Sequence, residues 1–289
     1  MSLSLKALSK SVAVTAGLCG LALLAAAQGP GWQVEIQQEP SFSASQIECA
    51  DMYSTQGYSR VSWEVGSEDE LQIPNKTQGE IIYLRGGEAL QPGESVRLMR
   101  VESAVPHTDQ FPGQTAYLNG MGRLFAMVGR ARVLRINAAG VATARIELSC
   151  RESQRGDFAI AWQPRASPKL EPSETIDLLH PVEGRLQMVA AGRDLGNEFA
   201  KGDEIFLTGR GVATAVGQRW LIFRRTHSPS MAVFRRAAYG VEAEVAAAGE
   251  PAKIVGEAVI ISTRPNSSAA LITYSRDVIL PGDEAMLER

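Results

Sequence analysis

Histidine and cysteine are scarce: the 289 residues contain three of each. His107, His180 and His227 are scattered, and none lies four residues from another ligand on an expected helix, so the spacing of a helix-borne zinc site is missing. No Gly-x-Ser-x-Gly turn presents a serine nucleophile, and no Cys-x-x-Cys pair supports thiol redox chemistry or a zinc ribbon. Gly86-Gly87 and Gly209-Arg210-Gly211 fall between expected strands and lack the Gly-Lys-Ser/Thr that carries a phosphate loop into a helix. Neither a metal nor a cofactor is expected. An excess of basic charge is also missing. The formal net charge is −3, and it becomes about −5 once Lys6 and Lys10 are removed with the leader described below. Such a surface offers no electrostatic footprint for nucleic acid and no polybasic membrane patch. After residue 27 no stretch is long and apolar enough to span a membrane.

What is present begins with that leader. Lys6 and Lys10 precede an apolar run from Val12 to Leu24, and Ala25-Ala26-Ala27 supplies the small residues a signal peptidase needs. Cleavage is expected after Ala27. The run is short and rich in Ala and Gly for a membrane anchor, and Leu18 precedes Cys19 where lipidation wants a small residue. Residues 1–27 are therefore read as a signal peptide, and the mature chain as periplasmic or outer-membrane-associated. The two cysteines that remain, Cys49 and Cys150, are an even number in an oxidising compartment. A disulfide between them would close about 100 residues and stabilise by roughly 4–5 kcal/mol; the alternative is two buried thiols.

The most informative feature is an internal repeat. Ile82-Tyr83-Leu84 runs into Gly86, as Ile205-Phe206-Leu207 runs into Gly209. Gly93-Glu94 precedes Ser95–Val101, as Gly217-Gln218 precedes Arg219–Arg224. Gly129–Leu134 matches Gly256–Ile261, and Arg155-Gly156-Asp157 matches Pro281-Gly282-Asp283. The offset drifts only from 123 to 127, so short gaps suffice. Alternation supports the same alignment. Ala142, Ala144, Ile146 and Leu148 share one strand face, and Ala270, Ile272 and Tyr274 take the inward positions at offset 126. A slip of one residue would exchange the faces.

Each copy then reads as strands punctuated by Gly turns, a variable excursion (102–128 and 225–255), two long strands joined at Asn137 or Asn266, and a Gly-Asp turn into Phe158–Trp162 or Glu284–Leu287. The expected fold is all-β: two tandem, similar small β-barrels of five to six antiparallel strands, preceded by a short irregular amino-terminal region. The boundaries are 28–78 for the irregular segment, 79–162 for the first barrel, 163–176 for a Pro-rich linker (Pro164, Pro168, Pro172) and 177–289 for the second barrel. Within 28–78 a short helix around Ser45–Tyr53 and a strand over Arg60–Val65 are expected. The Arg-Gly-Asp tripeptide at 155–157 is read as a turn, since its partner at 281–283 lacks the Arg. The glycosylation-like triplets at Asn75 and Asn266 are read as coincidence.

The succession Gly256-Glu257-Ala258-Val259-Ile260-Ile261-Ser262, Asn266-Ser267-Ser268-Ala269-Ala270-Leu271-Ile272-Thr273-Tyr274-Ser275 and Pro281-Gly282-Asp283 resembles the carboxy-terminal barrel module of flagellar assembly protein T. It also resembles the duplicated form in uncharacterised exported proteins of an acidobacterial type, some found alongside peptidoglycan-binding modules. The resemblance covers about 79–162 and 184–289, and rests on turn glycines and strand apolars. The flagellar protein's amino-terminal domain and any LysM-like segment are not recognisable here. The resemblance implies an envelope-associated structural protein.

One surface stands out as a binding candidate. Trp220, Arg224, Arg225, Phe234, Arg235, Arg236 and Tyr239 interleave arginines and aromatics around the second excursion, and loops on rigid scaffolds commonly carry binding. The alternative is that the aromatics are core and the arginines a solvated face. Three readings follow: a non-catalytic envelope scaffold or interaction protein whose partner is an envelope protein; a module for peptidoglycan or another polysaccharide, the cell-wall glycan; or a hydrolase assembled in three dimensions, for which Glu242 and Glu244 are examples of paired carboxylates.

Overall fold

In the computed structural model residues 42–55, 63–66, 75–85, 90–102, 109–165, 167–169, 186–193, 196–209, 213–225, 228, 230 and 252–287 are described. The leader, the three histidines and most of the second excursion lie outside them. The described residues belong to one unit, Phe42–Arg289.

Alternation of small apolar and polar residues builds two rings of antiparallel strands. The first uses β1 (Met52–Ser54), β2 (Trp63–Gly66), β3 (Ile81–Arg85), β4 (Ser95–Val101), β5 (Arg123–Ile136), β6 (Ala142–Ser149) and β7 (Phe158–Ala161). Their order is β1-β5-β4-β7-β2-β3-β6, and a further β5–β6 pairing returns the sheet upon itself. The second ring is a closed barrel of β8 (Leu186–Gly192), β9 (Glu204–Thr208), β10 (Arg219–Arg224), β11 (Lys253–Arg264), β12 (Ser267–Ser275) and β13 (Glu284–Leu287), in the order β10-β11-β12-β9-β8-β13. Each ring has its own core. Ile82, Leu84, Val96, Leu98, Ala144 and Ile146 are central in one, and Ile205, Leu207, Trp220, Ile222, Ala270 and Ile272 in the other.

The repeat holds at the level of single hydrogen bonds. Among the described residues each ring has three turns in which the third residue is a Gly of positive φ and the fourth is Asp, Glu or Gln. In all six the side chain of the fourth residue accepts from the backbone N–H of the first: Glu80 from Thr77, Glu94 from Gln91, Asp157 from Gln154, Asp203 from Ala200, Gln218 from Ala215 and Asp283 from Leu280, at 2.5–2.9 Å. The fourth N–H returns to the carbonyl of the first. Donor and acceptor of each corner are thus satisfied locally, which the sheet needs where its ladder stops. The bridge Lys76↔Ser153 in the first copy is matched by Phe199↔Ile279 in the second. Register shifts fall at Arg130/Ala131 and at Glu257/Ala258, the same place in both long hairpins. Asn137 closes the first hairpin by accepting from Ala139 and Val141.

Four boundaries are corrected. The first ring needs β2, which pairs with β3 and β7, so it begins inside the stretch read as irregular, 28–78. β2 agrees with the expected strand over Arg60–Val65 at Trp63–Val65, whereas its counterpart β8 was not expected as a strand. The expected helix over Ser45–Tyr53 stops at Glu48: α1 (Ala44–Glu48) is capped reciprocally by Ser43 and Gln46, and Met52–Ser54 finds an open partner in Phe125–Arg123. The first excursion contains α2 (Gln114–Met121), and β5 starts at Arg123 rather than Gly129, because β1 and Val101 of β4 both pair there.

Candidate functional site

Of the seven residues singled out around the second excursion, Trp220 is corrected: it is fully buried in the second core, in phase with Ile222, and offers no face to a ligand. Arg224 is committed to Asp283, donating from Nε at 2.8 Å and Nη2 at 2.7 Å, and also donates to the Val278 carbonyl. Asp283 is fully buried and receives a further bond from the Ser230 hydroxyl at 2.6 Å. Arg225 is paired with Glu284, which Ser228 also approaches, and its guanidinium lies over the Phe223 ring. Phe234, Arg235, Arg236 and Tyr239 lie outside the described residues, as do Glu242 and Glu244. The Arg224–Asp283 lock is part of the repeat. In the first copy Arg100 donates to Asp157 at 2.7 Å and to the Glu152 carbonyl. These arginines hold the last turn of each ring closed, and breaking such a buried pair costs about 3–5 kcal/mol.

The densest polar chemistry lies elsewhere, where the two rings meet. The segment 42–55 wedges between them. Ala50 and Tyr53, with Leu118 and Met121 of α2 and Leu124, pack on Ala191, Phe206, Ile261, Ala269 and Leu271 of the second barrel. The Tyr53 and Phe206 rings meet edge to face at 4.9 Å. Polar groups stitch the rim: Gln114 donates to the Ala190 carbonyl, Asn266 to that of Gly120 and Ser267 to that of Tyr53. The wedge is tied to the first ring by Cys49 and Cys150, whose sulfurs are at bonding distance with Cα atoms 5.4 Å apart.

Beneath this contact is a cluster of charges. Asp51 is fully buried. It accepts from the Met127 N–H at 2.7 Å and from Arg151 at 2.6 Å, with Arg193 at 3.6 Å. Burial raises its carboxyl above the ordinary range, and those three donors oppose the rise. Glu204 of β9 comes from the second barrel. Burial, and then the charge of Asp51, push it up to about 8, while the Asp51 N–H, Arg193 and Arg165 pull the other way. Among the described residues its Oε1 has no hydrogen-bond partner. Arg165 donates to the Ile47 and Ala50 carbonyls, and burial first, then Arg97, lower it to about 10. Burial and Asp51 raise the Tyr53 phenol to about 12.

In this cluster the raised Glu204 carboxyl keeps a proton near neutral pH, and the bonds of Asp51 and Arg165 orient the wedge. Both carboxyls are closed from solvent, so a substrate has no approach to them. Sequence reading missed the cluster. The usable signal was Glu204 at the position where the first repeat has Ile81: a charge in an apolar phase marks a face with a different neighbour. Among the described residues no three of His, Cys, Asp and Glu gather as metal ligands, and no helix is long and apolar enough to cross a membrane. No family model and no curated protein matches the chain.

Proposed function

We propose that the chain is an exported, envelope-associated, non-catalytic protein whose two barrels form one rigid body on which other molecules dock. The observation that carries this reading is what the repeated residues do. The six Gly turns and the Arg100–Asp157 and Arg224–Asp283 locks close the backbone, and the charged cluster is spent on joining the rings. The chemistry duplicated in this chain serves shape. The Cys49–Cys150 pair supports a compartment where disulfides persist, and the Lys6-to-Ala27 leader supports the route there.

Fractionation of cells with amino-terminal sequencing of the recovered protein tests this. The mature chain is expected in the envelope fraction and beginning at Gln28. A chain retained inside the cell with Met1–Ala27 intact would sink the proposal. The polysaccharide reading leaned on exposed aromatics, and burial of Trp220 takes away its leading residue. Failure to sediment with purified sacculi would remove it altogether.

A further inference from the structure

The two copies use one face in opposite ways. The strand registers make the comparison residue by residue, since Ile81↔Arg145 and Tyr83↔Thr143 in the first copy match Glu204↔Leu271 and Phe206↔Ala269 in the second. Likewise Arg132↔Arg145 matches Val259↔Leu271, and Arg135↔Thr143 matches Ser262↔Ala269. In the second barrel this outer face is apolar and buried: Phe206, Ile261, Ala269 and Leu271 lie under the protein wedge and α2, and Val259, paired with Leu271, is buried too. In the first barrel the same positions hold Tyr83, Arg132, Leu134, Thr143 and Arg145. Arg85, Arg135 and Arg145 are exposed, the Arg132 side chain is half exposed, and Leu134 among them is 41% exposed.

We infer that the outer face of β3, β6 and β5 in the first barrel is a docking surface for a partner protein that presents a run of carboxylates. This rests on the proposed scaffold role and gives its partner a chemistry. Three observations choose the occupant. The equivalent face of the second copy already receives protein, a strand and a helix, so the geometry accommodates a polypeptide. Its chemistry already selects carboxylate: Glu147 is held by Arg132 Nε at 2.5 Å, with Arg130 Nε at 3.4 Å, and guanidinium forks suit such oxygens. Finally, Arg85, Arg135 and Arg145 have no ion pair among the described residues, which leaves three cations to be matched by the guest. A symmetric dimer through this face would set arginine against arginine and is disfavoured.

The test uses the mature full-length chain and labelled poly-L-glutamate as the probe, with phosphatidylglycerol and phosphatidylcholine vesicles in parallel. Binding of polyglutamate is expected, weakening steeply with salt. Arg135→Glu with Arg145→Glu should reduce affinity about tenfold or more, and the milder Arg135→Gln with Arg145→Gln should fall between, with unchanged thermal melting in both. Binding that the charge reversal leaves intact overturns the inference. So does binding to phosphatidylglycerol vesicles without binding to polyglutamate, which would make the face a membrane contact. Self-association of the wild-type chain that the reversal abolishes overturns it as well. The assay uses purified protein, so its failure beside a chain recovered from the envelope removes only this face and leaves the scaffold role standing.

Discussion

The two barrels share turns, bulges, locks and ring order, yet they differ where they face each other. The second barrel has apolar residues on an outer face that the first barrel keeps charged. The contact joins unlike surfaces: the wedge and α2 of the first copy against the side of the second. What a duplicated fold conserves is thus the set of interactions that close each ring, satisfied inside every copy. What diverges is the surface, which answers to whatever covers it. Glu204 opposite Asp51 belongs to that second category, and so does the Cys49–Cys150 pair, whose second position is Arg276 in the other copy by the matching bonds to Val128 and Val255.

Perturbing positions that are equivalent by repeat but unequal by environment sharpens the contrast. The largest effect is expected at the disulfide, which only the first copy has. The cysteines are 101 positions apart, so reduction or Cys150→Ser should lower the free energy of unfolding by about 4–5 kcal/mol. Urea titrations with and without reductant measure this, and equal midpoints would show that the pair contributes nothing. Next, Phe206→Ala removes a buried ring from the junction and should cost about 3–5 kcal/mol. Its counterpart Tyr83→Ala, half-buried on the charged face, should cost about 1 kcal/mol. Equal losses would mean that the two faces are not used differently.

The third effect is in pH. Glu204 is raised from an ordinary 4.5 to about 8, so the folded chain keeps a proton that the unfolded chain releases. The stability this provides is complete below about 4.5 and is lost as pH rises through about 8. Glu204→Gln should flatten the decline across that window, with a remaining slope from Asp51, whose carboxyl is raised too. Denaturation midpoints at several pH values decide it; parallel curves for the two proteins would refute the coupling. The smallest contrast is between turn glycines. Both Gly93 and Gly217 have positive φ, so alanine at Gly93 should cost about 1–2 kcal/mol. At Gly217 the new Cβ would also lie 2.0 Å from the Lys169 carbonyl oxygen, whereas nothing lies within 4 Å at Gly93. Melting temperatures of Gly93→Ala and Gly217→Ala should therefore differ, with the second lower.

Much of this fold was written locally. A turn that needs Gly at its third place and Asp, Glu or Gln at its fourth leaves a signature in four residues, and a half-buried strand leaves one in alternation, as in Ala142, Ala144 and Ile146. Both survive duplication, so the tandem architecture was visible before any coordinates. The elements that were missed are those whose reason is distant. β1 forms because Phe125–Arg123 offers an edge, and β8 because β9 and β13 leave a gap between them. Arg165 finds its partners, the Ile47 and Ala50 carbonyls, 115–118 positions away. Nothing within a window of ten residues encodes such a meeting. Trp220 is different. It is in phase with Ile222, and the alternation around it pointed inward; proximity in sequence to Arg224 and Arg225 outweighed that signal in choosing it as a surface residue.

The wedge makes the protein indivisible. A fragment cut in the Pro-rich linker would leave the carboxy-terminal half with Phe206, Ile261 and Leu271 bare, an oily flank of the kind that drives precipitation. The amino-terminal half would be left with its own Leu118, Met121 and Tyr53 uncovered. Two modules built on one plan have become a left and a right hand, each completing a surface the other would leave bare, and any engineered use of this scaffold should carry both.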